Sequence, residues 1–295
     1  MKPGVLDLLL RHTPVLTDGA WGTELARRGL DSSTCPDSWN LLFPERVTEV
    51  AEAYVQAGSR IILTNTFRAN RIALAGFGLE NRAAEINRAG AALSCKAAGK
   101  EAFVFASMGP SGKLLFHDQT TEEELEQAFT EQAQALAEGG AHGLVLETFS
   151  DLEEIYIALK AAKRTGLPIV ASMLFDSGRY HDRTMMGNTP EQTAKVLTEE
   201  GADVIGANCG QGIEGYIPIC FRLKVSTDRP IWIKANAGLP LIVQGQAVYK
   251  TTPEEFASHL PELQKAGASF IGGCCGTNPA FIRALKSCLP NEGRR

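Results

Sequence analysis

The chain has 295 residues, 44% of them hydrophobic, so it is long enough to bury a sizeable core. Its formal net charge is −5 without a run of lysine or arginine, which argues against a nucleic acid or an anionic membrane as partner. Residues 1–14 show no secretory signal, no apolar run approaches the roughly 20 residues of a membrane span, and the seven cysteines lack disulfide-framework spacing, so we expect a cytoplasmic protein.

Eight short apolar runs alternate along the chain with longer segments of helical pattern. The runs are continuously apolar rather than alternating, as expected for strands that are covered on both faces. The order is βα repeated, which predicts a parallel sheet with helices packed outside it. The runs cover residues 15–17, 60–63, 103–106, 144–146, 169–173, 204–206, 231–233 and 270–271.

Start and stop signals mark the helices between these strands. Capping boxes begin at Thr121, Thr189 and Thr252, the last two with proline at the first helical position. Glycine recurs just before four of the strands, as in Ala57-Gly58-Ser59. This repeated device, with eight strands, predicts a single (β/α)8 TIM barrel spanning residues 1–290, with a C-terminal tail at 291–295. Residues 40–44 and 179–188 are predicted to be loops, the second over one mouth of the barrel.

In such barrels the active site lies at the C-terminal ends of the strands. Polar and glycine residues occupy these ends throughout the chain, so they are expected to meet on one rim. The candidates are Asp18, Gly19, Asn65, Thr66, Gly109, Ser111, Glu147, Cys209, Asn236, Cys274 and Cys275.

Three of these candidates are cysteines. Cys274 and Cys275 lie on a glycine turn between a strand and the helix that starts at Asn278-Pro279, and Cys209 ends another strand beside a glycine. Three thiolates favour zinc over hard cations, and three ligands leave one position open, as in catalytic zinc sites. Such a site has net charge −1 and suits the alkylation of a bound thiol. The alternative is an ordinary buried or redox-active cysteine pair.

The remaining candidates describe a small substrate. Asp18 and Glu147 offer carboxylates for an ammonium group, and the turn at Gly109 and Ser111 offers backbone N–H groups for a carboxylate. Together with the cysteines, they predict an amino acid with a thiol side chain. Asp18 also fits ordinary turn chemistry, whereas Asn65, Thr66 and Asn236 also fit side chains that satisfy loop backbone. Asn236 is further suited to the open metal position.

Several motifs resemble the homocysteine S-methyltransferase family, in the same order over nearly the whole chain. They are Asp18-Gly19-Ala20-Trp21-Gly22-Thr23-Glu24, Thr64-Asn65-Thr66-Phe67, Glu147-Thr148-Phe149-Ser150-Asp151, Asn208-Cys209-Gly210, Asn236-Ala237-Gly238 and Gly272-Gly273-Cys274-Cys275-Gly276-Thr277. Within the family, the stretch from Asn236 to Pro240 is most similar to the homocysteine-binding module of cobalamin-dependent methionine synthase.

The resemblance implies a barrel in which Cys209, Cys274 and Cys275 bind zinc and the homocysteine sulfur becomes the fourth ligand. It also implies that Asp18 and Glu147 hold the substrate amine and that Asn236 ligates zinc before homocysteine arrives. Residues 1–290 would then be a homocysteine-binding barrel.

The sequence also bears on the methyl donor. The sequence carries no Asp-x-His-x-x-Gly corrinoid signature, so we expect the donor to be free or carried by another protein. A methylated corrinoid on a separate protein is favoured, ahead of S-methylmethionine or S-adenosylmethionine and then betaine. Two alternatives from other classes are a non-catalytic subunit that presents substrate and a vicinal-dithiol redox protein.

Overall fold

Eight parallel strands form one sheet in the computed structural model, which describes residues 4–31, 33–113, 115, 119–243 and 246–290. The predicted tail at 291–295 lies outside these residues. The strands of the sheet are Val15–Leu16 (β1), Ile61–Ile62 (β2), Phe103–Met108 (β3), Gly143–Phe149 (β4), Ile169–Met173 (β5), Val204–Gly212 (β6), Ile231–Asn236 (β7) and Ala268–Gly273 (β10); Leu241–Val243 (β8) and Gln246–Val248 (β9) form a separate antiparallel hairpin.

Helices follow the strands in the order expected for βα units. They are Val5–Leu9 (α1), Trp21–Arg27 (α2), Trp39–Leu42 (α3), Pro44–Ala57 (α4), Arg71–Ala75 (α5), Ala83–Ala98 (α6), Glu122–Glu138 (α7), Leu152–Lys163 (α8), Pro190–Glu199 (α9), Ile213–Lys224 (α10), Pro253–Ser258 (α11), Leu260–Ala266 (α12) and Pro279–Cys288 (α13), with short 3-10 helices at Pro36–Ser38 and Glu80–Arg82. None of the helices in the described ranges is long and apolar enough to span a membrane.

The sheet is almost closed on itself. Its strand order is β1-β10-β7-β6-β5-β4-β3-β2, so β1 and β2 are its two ends. These ends come together, because the backbone N–H of Arg60 donates to the carbonyl of Leu16 over 2.8 Å. The predicted (β/α)8 TIM barrel is therefore confirmed.

Side chains of alternate residues divide between two cores, as the pleat of a strand requires. In β7, Ile231 and Ile233 pack outward against the helices, whereas Trp232 packs into the barrel interior. The interior cluster also holds Leu9, with Leu6 and Leu10 against it, so α1 and the residue after it close the N-terminal end of the barrel.

The helix signals in the sequence correspond to real helix ends. Thr121, Thr189 and Thr252 each cap a helix with a complete capping box. Gly58 and Gly267 end their helices with φ values of 105° and 104°, a conformation that glycine adopts without strain.

Two short segments differ from their prediction. The predicted loop at 40–44 is wrong, because Trp39–Leu42 is helical and Pro44 opens the next helix. Asn40 favours this turn because its buried amide donates to the carbonyls of Asn65 and Ile86, 2.7 and 3.1 Å away. The hairpin of β8 and β9 was not predicted.

Candidate metal and thiol-binding site

Three cysteine sulfurs lie together at the C-terminal mouth of the barrel. Cys209 is near the end of β6, and Cys274 and Cys275 directly follow β10; their Sγ atoms all lie within 4.8 Å of one another. The Cys209 and Cys275 sulfurs are 3.8 Å apart, and none of the three cysteines is in a disulfide. Two sulfurs on a tetrahedral zinc, each about 2.3 Å from the ion, are about 3.8 Å apart. The spacing and the soft donors therefore fit zinc.

The backbone after β10 holds the cysteine pair against β7. The N–H of Cys274 donates to the carbonyl of Ala235 over 2.6 Å, and the N–H of Ala237 donates to the carbonyl of Cys275 over 2.9 Å. Gly276 completes the turn with a φ of 81°, and a Cβ there would lie 2.2 Å from the ring of Tyr249. A side chain at position 276 would therefore displace either the turn or the tyrosine.

Cys209 is placed by an unusual backbone conformation. Both Cys209 and Thr148 have a φ of 65°, which is uncommon for residues other than glycine. Asn208 joins the two, because its Oδ1 accepts from the Thr148 N–H over 2.9 Å and its Nδ2 donates to the Thr148 hydroxyl over 2.7 Å. The end of β4, with Glu147, is thereby fixed relative to Cys209.

Without a metal, the three thiols share their charge unequally. Hydrogen bonds from Cys274 and then Cys275 lower the pKa of Cys209 to about 3. Hydrogen bonds to Cys209 and then to Cys275 raise the pKa of Cys274 well above its usual value, and the hydrogen bond to Cys209 raises the pKa of Cys275 to about 12. A second or third thiolate in this cluster thus requires a cation, which a divalent metal ion would provide.

Asn236, the last residue of β7, contributes an oxygen beside the cysteines. Its side chain helps to lower the pKa of Cys209, and its buried Oδ1 has no hydrogen-bond partner among the described residues. Buried amide oxygens are normally paired, so an orphaned one next to three thiols is what an open metal position would use. Its role as a ligand stays a prediction.

A buried charge cluster lies below the cysteines and includes a residue that sequence analysis missed. Lys234 in β7 pairs with Asp18, and their side chains are 2% and 0% exposed. Burial alone would lower the pKa of Lys234, but the charges of Asp18 and then Glu147 outweigh it and raise that pKa. The signal was available in the sequence, because Lys234 shares its strand face with Asn236.

The two predicted ammonium ligands differ in their surroundings. Oδ2 of Asp18 accepts from the Trp21 indole N–H and the Leu63 backbone N–H, each over 2.7 Å, while Oδ1 faces Lys234. Glu147 uses Oε1 to accept from the Ser107 hydroxyl, and its Oε2 accepts no hydrogen bond within the described part of the chain. Burial raises the pKa of Glu147.

Four other candidates lie at the ends of β2 and β3, where their polar groups form hydrogen bonds within the protein. The Asn65 amide donates to the carbonyl of Pro36 over 2.8 Å, and the Thr66 hydroxyl donates to that of Ser107 over 2.7 Å. The N–H of Gly109 donates to the carbonyl of Phe67 over 2.8 Å. The N–H and hydroxyl of Ser111 both donate to Glu154, over 2.7 and 2.6 Å.

Gly19, the remaining candidate, lies against the turn that holds the cysteines. A Cβ at position 19 would come within 2.8 Å of the hydroxyls of Thr277 and Tyr54, so only glycine fits. The substrate roles predicted for Gly19 and for the four residues on β2 and β3 stay predictions.

This combination defines a (β/α)8 barrel with a three-thiol centre at its C-terminal mouth. A profile of the family "Homocysteine S-methyltransferase" matches residues 15–289, and the chain belongs to this family. Similar proteins include the methionine synthases of Mycobacterium tuberculosis, 29% identical over 98% of this chain, and Mycobacterium leprae, 27% identical over 97%. The chain spans about a quarter of the length of these relatives, 26% in each case.

A solved structure also resembles the barrel closely. The homocysteine methyltransferase MmuM of Escherichia coli, in its metallated form, superposes with a TM-score of 0.80 at 25% identity. The match covers 95% of this chain and 98% of that one, so the likeness extends over nearly the whole of the Escherichia coli enzyme.

Proposed function

We propose that the chain is a zinc-dependent methyltransferase that converts homocysteine to methionine. The observation that carries this proposal is the cluster of Cys209, Cys274 and Cys275, with the unpaired oxygen of Asn236 beside it. Zinc bound by the three thiolates would supply a centre that deprotonates an incoming thiol and keeps its sulfur nucleophilic. A reducing cytoplasm, which keeps such thiols free, suits this chemistry.

The protein side chains would bind and orient the substrate. Glu147 presents Oε2 to the substrate ammonium, and Ser107 and the Asn208–Thr148 contacts fix the position of that carboxylate. Asp18 is held by three donors, so we propose that it organises the strand ends around the pocket. The sulfur lone pair then forms the new S–CH3 bond, the bonding pair of the old methyl bond stays with the donor, and the thiol proton is released.

We propose a methylated corrinoid on a separate protein as the methyl donor. The motifs around Asn236 support this donor by their resemblance to cobalamin-dependent methionine synthase. The exposed apolar side chains of Leu239, Leu241 and Ile242, which follow β7 at the mouth, offer contact surface for a large donor. A small sulfonium such as S-methylmethionine or S-adenosylmethionine is the second candidate, supported by the match to nearly all of a homocysteine methyltransferase of similar length.

The test is methionine formation by the purified, zinc-loaded chain with homocysteine and, separately, methylcobalamin, S-methylmethionine, S-adenosylmethionine or betaine. Product from methylcobalamin alone supports the corrinoid donor. Product from a sulfonium replaces it with a self-sufficient enzyme. Thiol binding without product from any of these donors favours a subunit that only presents substrate, and activity that survives removal of zinc contradicts the metal mechanism.

A further inference from the structure

Lys234 is the only buried basic residue in the described part of the chain. The other buried charged residues are all acidic: Asp18, Glu24, Asp37, Glu147, Asp151 and Glu154. A lysine is rarely buried unless it is paired, because removing its charge from water is costly. Asp18 meets that need, but Asp18 and Lys234 together would be equally well replaced by two apolar side chains if stability alone were served.

The position of Lys234 connects it to the cysteine centre. It faces Gly272 across the β7–β10 pairing, two residues before Cys274, and it precedes Asn236 on the same face of β7. Two residues along a strand span about 6.6 Å. A thiol amino acid whose sulfur lies at the cysteines covers that distance with its two methylene groups and one hydrogen bond.

The charges around the site indicate which charged group of the substrate lacks a partner other than Lys234. If the proposed function holds, the site receives a substrate with an ammonium and a carboxylate. Glu147 has an unused oxygen for the ammonium. Without Lys234, the carboxylate would enter among Asp18, Glu147 and a zinc–thiolate centre of net charge −1, and this negative surrounding would oppose its binding.

Lys234 has hydrogen-bond capacity for that carboxylate. Its ammonium group carries three N–H donors, and Asp18 is its one hydrogen-bond acceptor among the described residues. The backbone N–H groups of Gly109 and Ser111, the other candidates for this role, already donate to Phe67 and Glu154.

We propose that Lys234 binds the carboxylate of the thiol amino acid, while Glu147 binds its ammonium. This inference rests on the proposed function and deepens it, because it makes the site selective for a zwitterion. Asp18 is then the residue that positions Lys234, through the hydrogen bond on Oδ1, and is itself held by Trp21 and Leu63 through Oδ2.

The experiment compares two thiols on the zinc-loaded chain by isothermal titration calorimetry. L-Homocysteine carries both charged groups, whereas 3-aminopropane-1-thiol keeps the thiol and the ammonium but lacks the carboxylate. The test variant is the double substitution Asp18→Asn with Lys234→Met, which leaves neither partner of this buried pair without the other. Lys195→Met, at an exposed position of α9, is the matched control.

The wild-type chain and the Lys195→Met control are expected to bind L-homocysteine about tenfold or more tightly than the aminothiol, as a charge-assisted hydrogen bond requires. In the double variant this ratio is expected to fall to about one, with the aminothiol affinity within about threefold of wild type. A role for Lys234 in folding alone would not change the ratio.

Several outcomes overturn the assignment. A wild-type chain that binds both thiols equally, or a double variant that keeps the preference, contradicts the role of Lys234 and leaves the methyltransferase proposal standing. An equal loss of both thiols in the double variant assigns the ammonium to Asp18 instead. Failure of the wild-type chain to bind either thiol contradicts the proposed function and this inference with it.

Discussion

The two sides of the barrel mouth use their polar groups differently. At the ends of β6, β7 and β10, the three thiols, the Asn236 oxygen and the ammonium group of Lys234 retain unused bonding capacity. At the ends of β2 and β3, Asn65, Thr66 and Ser111 donate to other groups of the chain. Polar residues at strand ends therefore mark chemistry only where the protein leaves them unsatisfied; elsewhere they hold the rim together.

The largest effect is expected at the cysteines. Cys275→Ala removes one of three proposed ligands, and two thiolates with Asn236 would not retain the metal. We expect less than one tenth of the wild-type zinc content after gel filtration, and methyltransferase activity at background. Metal analysis of the purified variant checks this prediction.

Cys288→Ala is the control for that measurement, because Cys288 is exposed and lies far along α13 from the cluster. It is expected to keep full zinc and activity. Full zinc in Cys275→Ala would remove Cys275 from the set of metal ligands.

Two buried glutamates give a matched comparison. Glu147 and Glu154 each accept a hydrogen bond from a serine hydroxyl, but Glu147 lies in β4 beside Thr148, which Asn208 ties to Cys209, whereas Glu154 lies in α8 and holds Ser111. Glu147→Gln is expected to weaken homocysteine binding about 10- to 100-fold with unchanged zinc, because a charged hydrogen-bond acceptor is lost. Glu154→Gln is expected to stay within about twofold of wild type. Calorimetry measures both Kd values for homocysteine. Equal values for the two variants would contradict a binding role that is specific to Glu147.

Asp37 is expected to contribute to the dependence of stability on pH. Burial raises the pKa of Asp37 to about 6, against 3.8 in an unfolded chain. The folded protein therefore binds the Asp37 proton more tightly, and the free energy of unfolding falls as pH rises from about 4 to 6. Between about pH 4.5 and pH 7, we expect Asp37 to account for a fall of about 2 kcal/mol in the free energy of unfolding, and this fall should be absent in Asp37→Asn.

Urea unfolding at both pH values measures this effect. The Asp37→Asn variant should be more stable than wild type at the higher pH, with the gap narrowing at the lower one. A pH dependence identical to wild type would show that Asp37 is not the group responsible.

The smallest effect is expected at Asn65. Asn65→Ala removes hydrogen bonds to Pro36 and Asn40. We expect the free energy of unfolding to drop by about 1 kcal/mol. Zinc content and the affinity for homocysteine should stay near wild type. A tenfold loss of homocysteine affinity in a well-folded Asn65→Ala chain would move Asn65 from the scaffold into the binding site.

Much of the fold was predictable because its signals are local. Apolar runs, capping boxes and helix-ending glycines each occupy a few consecutive residues, and eight βα units close into one common architecture. The meeting of Cys209 with Cys274 and Cys275 followed from the same logic, since C-terminal ends of parallel strands share one rim. The hairpin of β8 and β9 carries no comparable signal.

The details of the site were less predictable because they depend on distant partners. Ser111 is paired with Glu154, 43 positions away, and Asp18 with Lys234, 216 positions away. No local sequence pattern shows that Glu154 accepts the hydrogen bonds of Ser111 or that Asp18 accepts one from Lys234. Lys234 was missed because the apolar run of the seventh strand was predicted to end at Ile233. In the structure β7 continues to Asn236, and Lys234 lies on the same face as Trp232, which packs inside the barrel.

The closure of the barrel floor by α1 has a kinetic consequence. Leu6, Leu9 and Leu10 pack against the interior core at the end of the barrel opposite the cysteines. On the proposed function, the amino acid binds at the cysteine mouth first and a bulky methyl donor covers it afterwards. Turnover should then follow a compulsory order, with homocysteine binding first and methionine leaving last, after the demethylated donor has departed.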